Sequence, residues 1–255
     1  FGLSVEHSEH VRATSLLVAA WFGLFSIPVF LFTPDRPAVN VSFTTAIRSG
    51  LFGLRESLRK ILNHGPLARF LLVHMLYSNG LNTLFAFGGI FAAGSFGMSL
   101  REVLYFGIAL NVTAGLGAAA FAWVDDLIGS KKTILIALCG LSCLGLALVL
   151  TRSPSVFFIL GCALGIFVGP AQAAGRSMMA KLAPTDLETE AFGLYELAGK
   201  VTIFIGPLVL GLATQIFDSQ RAGMSTVLIF LVAGIVVLLP LREPSSPDDR
   251  TDPNV

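Results

Sequence analysis

Long uncharged apolar runs, separated by short polar turns, constrain this chain more than any other feature of its sequence. The turn at residues 123–132 follows one such run, roughly residues 103–124, and precedes another, roughly residues 133–150. A helix needs about 20 apolar residues to cross the hydrocarbon core of a bilayer, so runs of this length are typical of membrane spans. The turn carries two carboxylates and two ammonium groups, which are costly to bury in lipid. We therefore expect the chain to leave a membrane at this turn and to re-enter it.

The composition supports a membrane protein. Charged residues make up 13% of the chain and hydrophobic residues 54%, whereas about 25% of a soluble domain is charged. The formal net charge of +1 creates no field that would attract nucleic acid, so no nucleic-acid partner is expected. The three cysteines lie in apolar runs, and no histidine stands at a metal-ligand spacing from them. We expect no metal site and no cofactor.

Seven segments are apolar and long enough to span a bilayer. They cover approximately residues 11–32, 67–90, 100–124, 133–150, 155–180, 190–216 and 223–241. A Ser or Thr three residues before a Glu predicts capping boxes at the start of the third and sixth spans, at Ser99–Glu102 and Thr185–Glu188. In the fifth span, Gly169-Pro170 predicts a break in the helix.

The segment between the first two spans is of a different kind. Apolar residues recur at four-three spacing from Ile47 to Ile61, and basic residues occupy the other faces. This pattern predicts an amphipathic helix lying on the membrane surface. An ordinary soluble linker helix is the alternative.

The distribution of basic residues predicts the orientation of the chain. Placing the turn at residues 123–132 on the cytoplasmic side puts 12 of the 17 Lys and Arg residues in cytoplasmic segments and four in outer segments. Cytoplasmic loops carry an excess of Lys and Arg. Residue 1 is then outside, and the C-terminus is cytoplasmic.

The order of the spans predicts a transporter architecture. The six spans after the linker form two groups of three, and groups with an odd number of spans insert with opposite orientation, as in the inverted repeats of transporter halves. The first span is then the sixth of twelve, and five spans are missing before residue 1. The predicted parts are residues 1–32 (end of an outer loop and last helix of an N-terminal half), 33–66 (cytoplasmic linker with the amphipathic helix), 67–241 (C-terminal six-helix transport half) and 242–255 (disordered cytoplasmic tail).

The turn at residues 123–132 resembles the cytoplasmic loop motif of the major facilitator superfamily. Its acidic, glycine and basic positions correspond to Asp126, Gly129, Lys131 and Lys132. Ala122 replaces the first glycine of the motif, and Leu127 replaces the basic residue after the aspartate. The resemblance implies a gating role for the turn, and these two departures weaken the salt-bridge latch attributed to such loops. We expect Asp126 to pair with a neighbouring helix end and to bias a transport cavity between its closed states.

Longer strings resemble the vacuolar amino-acid effluxer family known from autophagy and its bacterial relatives. They are residues 79–83 (NGLNT), 106–111 (FGIALN), 165–172 (GIFVGPAQ) and 192–195 (FGLY). The resemblance covers most of residues 11–242 and implies secondary transport, with amino-acid efflux in the fungal branch. The predicted fold is thus an all-α membrane protein: the C-terminal six-helix half of a twelve-helix major facilitator transporter plus one preceding helix. We expect a multi-pass protein of a bacterial inner (plasma) membrane, whose partners are the bilayer, a small-molecule substrate and the missing N-terminal half.

Polar residues inside the spans are the candidates for substrate contact. At 1.5 Å per residue, Asn79 and Asn82 lie about 18 and 22 Å into the second span, and they share one face of the helix. Amides both donate and accept hydrogen bonds, which suits a zwitterion or a polyol; hydrogen bonding between helices is the alternative. The candidate cavity residues are Asn79, Asn82, Asn111, Gln172, Tyr195, Glu196 and Lys200.

Charged and titratable residues in the spans allow more than one interpretation. Lys200 lies well inside the sixth span, four residues after Glu196. Either Lys200 binds a carboxylate or takes part in proton coupling, or the two residues form a neutralised structural pair. We expect Arg176 to be a surface anchor and His74 to be a packed or hydrogen-bonded side chain.

The leading functional prediction is a secondary active transporter of a small polar solute such as an amino acid. A drug or sugar carrier of the same fold is the alternative within transport. A seven-helix receptor or retinal protein is an alternative of another class, although a retinal protein needs its lysine in the last span. We recognise no catalytic Ser/His motif, no paired intramembrane Asp and no HExxH motif, so we do not expect an enzyme.

Overall fold

The structure of this chain, a computed structural model, describes residues 9–33, 42, 44, 58–61, 63–185 and 187–243, with side chains described from residue 13 onward. The chain divides into two units, Phe1–Ser49 and Gly50–Val255. The predicted amphipathic helix lies outside the described residues except at residues 58–61, which are helical. The predicted tail lies outside them from residue 244 onward.

The first unit contains helix α1, Glu9–Phe32. Its segment Ala13–Phe32 is long and apolar enough to cross a membrane. Large apolar side chains such as Trp21 and Phe30 are exposed, which suits a helix that has lipid rather than water as its solvent.

The described part of the second unit is built mainly from seven helices. They are α2 (Gly65–Phe96), α3 (Leu100–Ile128), α4 (Ser130–Leu150), α5 (Pro154–Leu182), α6 (Glu188–Val201), α7 (Ile205–Phe217) and α8 (Gln220–Leu238). Together α6 and α7 make one span, so the described residues contain seven stretches that can cross a membrane, including the one in α1. The predicted all-α membrane protein is confirmed.

Local signals set several helix ends. Gly97 adopts the left-handed conformation, with φ 66°, and ends α2 beyond the predicted residue 90. The first predicted capping box is present, because the Ser99 N–H donates to the Glu102 carboxylate at 2.7 Å and the Glu102 N–H donates to Ser99 Oγ at 3.4 Å. The second predicted box is wrong: α6 begins at Glu188, so its N-cap is Leu187, which provides no side-chain cap.

The interruption of a span occurs in a different helix from the one predicted. Helix α5 continues without a break through Pro170, whereas the sixth span is broken between Val201 and Ile205. Pro207 has no N–H with which to bond the carbonyl four residues earlier. A tight turn replaces the regular bonds there: the Ile205 N–H donates to the Thr202 carbonyl at 2.9 Å.

Glycines on α5 allow close packing against α3. A Cβ on Gly165 would collide with Thr113 Oγ1 and lie 2.8 Å from the Leu110 carbonyl oxygen, and one on Gly169 would collide with the Ala114 carbonyl. Small residues at four-residue spacing let two membrane helices approach closely. Gly169 is therefore a packing residue rather than the start of a break.

The helix pairings follow a two-fold pattern. Helix α5 packs on α3 and α4, and α2 packs correspondingly on the α6–α7 span and α8, while α4 and α8 pack on each other. Exchanging the group α2–α4 with the group α5–α8 maps these pairs onto one another. This is the pattern expected for an inverted repeat, although the assignment to one half of a longer transporter stays a prediction.

Candidate functional site

A polar cavity of about 220 Å³ lies between α2, α5 and α6. Its polar and charged lining residues are His74, Tyr77, Ser78, Asn82, Gln172, Arg176, Tyr195, Glu196 and Lys200. All of these residues belong to helices that can cross a membrane. Polar side chains at such positions typically face a cavity or another part of the protein rather than lipid.

Five of the seven predicted cavity residues meet here, although they come from three separate helices. They are Asn82, Gln172, Tyr195, Glu196 and Lys200. Their contact with a substrate stays a prediction, but the structure places them around one space.

Asn79 lies outside this lining and makes structural contacts. It is 2% exposed, its Nδ2 donates to Thr202 Oγ1 at 2.7 Å and to the Met75 carbonyl at 2.9 Å, and its Oδ1 accepts from the Gly206 N–H at 3.3 Å. The Asn79 side chain thus provides a hydrogen-bond acceptor for the backbone N–H of Gly206, at the break between α6 and α7. Its bonds match the alternative of hydrogen bonding between helices.

Asn111 lies at a separate place. It is exposed on α3, and its Nδ2 donates to the Gly107 carbonyl of the same helix at 2.9 Å. It borders a second cavity of about 200 Å³ whose lining is mostly apolar, with residues from α2, α3 and α5.

Glu196 and Lys200 form a loose ion pair. Lys200 Nζ lies 3.7 Å from Glu196 Oε2, and the two side chains are 73% (Lys200) and 53% (Glu196) exposed. An exposed i,i+4 pair stabilises a helix by only about 0.3–0.5 kcal/mol. Both charges can therefore turn toward a solute in the cavity at little cost.

Four polar lining residues were not predicted as cavity residues from the sequence: His74, Tyr77, Ser78 and Arg176. His74 and Tyr77 bond each other, and the His74 ring stacks on the Tyr195 ring at a centroid distance of 3.6 Å. The spacing of these residues in the sequence already indicates polar helix faces. His74, Ser78 and Asn82 follow one another at four-residue spacing, as do Gln172 and Arg176, and residues at that spacing share a helix face.

At the turn between α3 and α4, the network centres on Glu243. Its carboxylate accepts from the N–H groups of Ser130 and Lys131, each at 2.9 Å, and from Lys181 Nζ at 2.8 Å. The carboxylate therefore caps the start of α4 and ties it to the end of α5. Burial raises the pKa of Glu243, but the hydrogen bonds from Lys181 and the two amides outweigh it and hold the pKa below its ordinary value.

The four motif residues of this turn differ in their contacts. Gly129 has φ +90°, and a Cβ there would lie 2.6 Å from Glu243 Oε2. Lys131 Nζ donates to the Leu239 carbonyl at 2.8 Å. Asp126 and Lys132 are exposed, and neither makes a side-chain hydrogen bond or ion pair within the described part of the chain. The neighbouring Asp125 has a buried Oδ1 with no partner among the described residues.

These features define an integral, multi-pass membrane protein with a charged cavity between its spans. The chain belongs to the family described as "Vacuole effluxer Atg22 like", which matches residues 3–249. The resemblance to the vacuolar effluxer family is thereby confirmed.

Several relatives are similar along most of this chain. "Uncharacterized MFS-type transporter YxiO" of Bacillus subtilis (strain 168) is 24% identical over 246 residues, which cover 96% of this chain and 57% of the relative. "Autophagy-related protein 22" of Cryptococcus neoformans var. neoformans serotype D (strain B-3501A) is 24% identical over 245 residues, covering 87% and 44%. The protein of that name from Candida glabrata is 23% identical over 266 residues, covering 92% and 49%. The chain thus spans about half the length of the curated relatives it matches.

Proposed function

We propose that this chain is part of a secondary active transporter that moves a small polar solute across a membrane by alternating access. The observation that carries the proposal is the cavity inside the spans, where Asn82, Gln172 and Lys200 face one space with charges of both signs nearby. Charged groups at membrane depth are costly and typically serve transport or binding. The family description and the name of the Bacillus relative support transport rather than an enzymatic function.

We also propose that a second set of spans covers this polar face. Gln172, Arg176 and Lys200 are exposed on the bundle, and such groups are unstable against lipid. The length of the relatives supports a missing N-terminal half as the cover. On this proposal α2–α8 form the C-terminal six-span half, with the turn between α3 and α4 on the cytoplasmic side of a bacterial plasma membrane.

An amino acid is the substrate that we propose. Arg176 and Lys200 can bind a carboxylate, while Glu196 can bind an ammonium group, so the cavity offers partners to both ends of a zwitterion. The resemblance to vacuolar amino-acid effluxers agrees with this choice.

Counterflow of labelled solutes into liposomes tests the proposal. The full-length protein is reconstituted, and a panel of amino acids, sugars and hydrophobic cations is offered. We expect exchange of at least one amino acid, and a loss of about tenfold or more in Lys200→Met, as for removal of a charged binding partner worth about 1.5–3 kcal/mol. Arg101→Met removes an exposed cation at the start of α3, outside the cavity, and serves as the matched control.

The outcomes separate the alternatives. Exchange of sugars or hydrophobic cations without amino acids would overturn the substrate and retain the transporter. Exchange of no solute would count against transport itself. Full exchange by a well-folded Lys200→Met protein would remove Lys200 from the binding site.

A further inference from the structure

A chain of hydrogen-bonded groups links α2 to α6 at the wall of the polar cavity. Tyr195 Oη lies 3.1 Å from Tyr77 Oη, and Tyr77 Oη lies 3.0 Å from His74 Nδ1. The two tyrosines are 2% (Tyr195) and 1% (Tyr77) exposed, whereas His74 is half-buried and borders the cavity. All three side chains border the cavity, and the imidazole is the one most open to a solute or water.

Two glycines close the space around this chain. A Cβ on Gly175 of α5 would lie 2.6 Å from Tyr195 Oη and would also collide with Tyr77 Oη, and one on Gly199 of α6 would lie 2.9 Å from His74 Nε2. Helix α5 thus lies directly against the two hydroxyls and leaves little room for another partner on that side. The hydroxyls depend on each other and on the imidazole.

Whether His74 Nδ1 carries a proton decides the direction of its hydrogen bond with Tyr77. When the imidazole is neutral and carries its proton on Nε2, Nδ1 accepts from Tyr77, and Tyr77 accepts from Tyr195. When Nδ1 also carries a proton, it can only donate, so Tyr77 accepts from it and turns its own O–H to Tyr195, the other hydroxyl within reach. The Tyr195 O–H then has no acceptor in the chain and must turn away from α2 to find one.

We propose that His74 is a proton-binding site of the cavity and that Tyr77 and Tyr195 transmit its charge state to α6. A hydronium ion in the cavity gives its proton to the Nδ1 lone pair and leaves as water. The hydrogen bond from Tyr77 to Nδ1 breaks and re-forms in the opposite direction, and no covalent bond other than that O–H bond of the hydronium ion breaks. Ser78 Oγ lies 3.1 Å from Nδ1 in the same orientation of the ring and is a second acceptor for the added proton. The proposal rests on the proposed transport function, because it assigns the proton the role of coupling ion.

The charges around His74 link the proton to the solute. Tyr77 faces the imidazole from its own helix, Arg176 lies on α5, and Tyr195, Glu196 and Lys200 lie on α6. Arg176 and Lys200 carry two positive charges against the single negative charge of Glu196, so together they disfavour a positively charged His74. The carboxylate of a bound solute reduces this repulsion. Proton and solute carboxylate therefore favour each other's binding, and by linkage each raises the affinity of the other by the same factor.

The first test observes the site without any need for transport. The full-length protein, with ¹⁵N-labelled histidine, is placed in lipid nanodiscs, and the imidazole signals are followed through a pH titration. We expect one titrating signal that is lost in His74→Gln and kept in His64→Gln, the matched control at the start of α2 outside the cavity. If His74→Gln removes no titrating signal, the proposal is overturned, whatever the transport assays give.

The second test measures coupling. In liposomes, the ratio of substrate-driven proton flux to solute counterflow should fall about tenfold or more in His74→Gln, within the usual range of coupling between sites. An undiminished ratio would overturn the proposal, and absent counterflow in the wild-type protein would instead refute the proposed transport function. If His74→Gln does not fold, Tyr77→Phe replaces it: the imidazole should still titrate, at a shifted pH, and proton flux should fall. If neither the titration of the imidazole nor the proton flux changes in Tyr77→Phe, the proposal is overturned.

Discussion

At the scale of single residues, Glu243 has the largest structural effect at the turn between α3 and α4. One carboxylate satisfies two backbone N–H groups that a helix start leaves without partners and also pairs with Lys181. By sequence this residue belongs to the predicted polar tail, because nothing in the local pattern distinguishes it from its neighbours. Its role depends on the chain after α8 lying beside the start of α4 and the end of α5.

Glu243→Gln should weaken the folded state and change its dependence on pH. The loss of the ion pair should lower the unfolding free energy by about 1–2 kcal/mol at neutral pH. Because the folded-state pKa lies below that of an unfolded glutamate, this stabilisation is fully present above the unfolded value and is lost as pH falls through the folded value. The difference between wild type and variant should therefore shrink on acidification.

Denaturation of the full-length protein in mixed micelles at several pH values provides the measurement. Glu190→Gln is the matched control, since that carboxylate makes no side-chain hydrogen bond or ion pair within the described part of the chain. A constant difference between Glu243→Gln and wild type at all pH values would contradict this account.

At the scale of elements, the contact between α3 and α5 depends on glycine. Gly165→Ala should be destabilising by about 1–3 kcal/mol, because the added methyl group overpacks a close contact. Gly115→Ala on α3 is the control, since a Cβ there meets no atom within 4 Å. The control should be neutral or stabilising by up to about 1 kcal/mol. Equal effects of the two substitutions on unfolding in micelles would argue against a packed glycine contact.

The break between α6 and α7 is a second feature of element scale. Asn79→Ala leaves the buried Gly206 N–H without its acceptor, which should reduce the unfolding free energy by about 1–3 kcal/mol. Asn111→Ala removes only a bond within an exposed helical turn and should change stability by less than about 0.5 kcal/mol. Both are measured by the same micelle denaturation. A larger loss for Asn111→Ala than for Asn79→Ala would be inconsistent with the role assigned to Asn79.

At the scale of the whole molecule, Asp126 tests whether the turn between α3 and α4 gates the cavity. Its carboxylate is exposed in the described chain, so a gating partner must come from a different conformation or from spans outside these residues. We expect Asp126→Asn to shift the balance between cavity states without changing solute affinity within each state.

Labelling of a cysteine substituted for Asn82 by a membrane-impermeant thiol reagent reports that balance, in a protein whose own cysteines are replaced. Asp218→Asn alters an exposed aspartate at the opposite end of the bundle and is the control. If Asp126→Asn shows the same labelling and the same transport kinetics as the wild-type protein, Asp126 has no gating role.

Most of the fold could be predicted because membrane spans are encoded locally. Hydrophobic length selects each span, and the backbone bonds of a helix are made within the same segment. The predictions were wrong where one local sequence pattern is compatible with more than one structure. Gly169-Pro170 and Gly206-Pro207 look alike as dipeptides, yet only the second accompanies a break, since α3 holds the first in a continuous helix.

Five of the predicted cavity residues could be identified from polarity and depth alone, whereas the contacts of Asn79 and His74 could not. Both are polar residues of α2, eight (His74) and three (Asn79) positions before Asn82, and the sequence does not give the rotation of the helix about its axis. Packing turns Asn79 toward the break and His74 toward Tyr195.

The sequence by itself determined an all-α membrane protein, the order of its spans and the capping box that begins α3, because each depends on residues within one segment. Only the tertiary structure decided which polar groups meet. Tyr77 and Tyr195 are 118 positions apart in the chain. The separation is 113 positions for Ser130 and Glu243 and 127 positions for Asn79 and Gly206. A hydrogen bond reaches about 3 Å, so such pairs form only when helix packing fixes both the rotation and the depth of each partner.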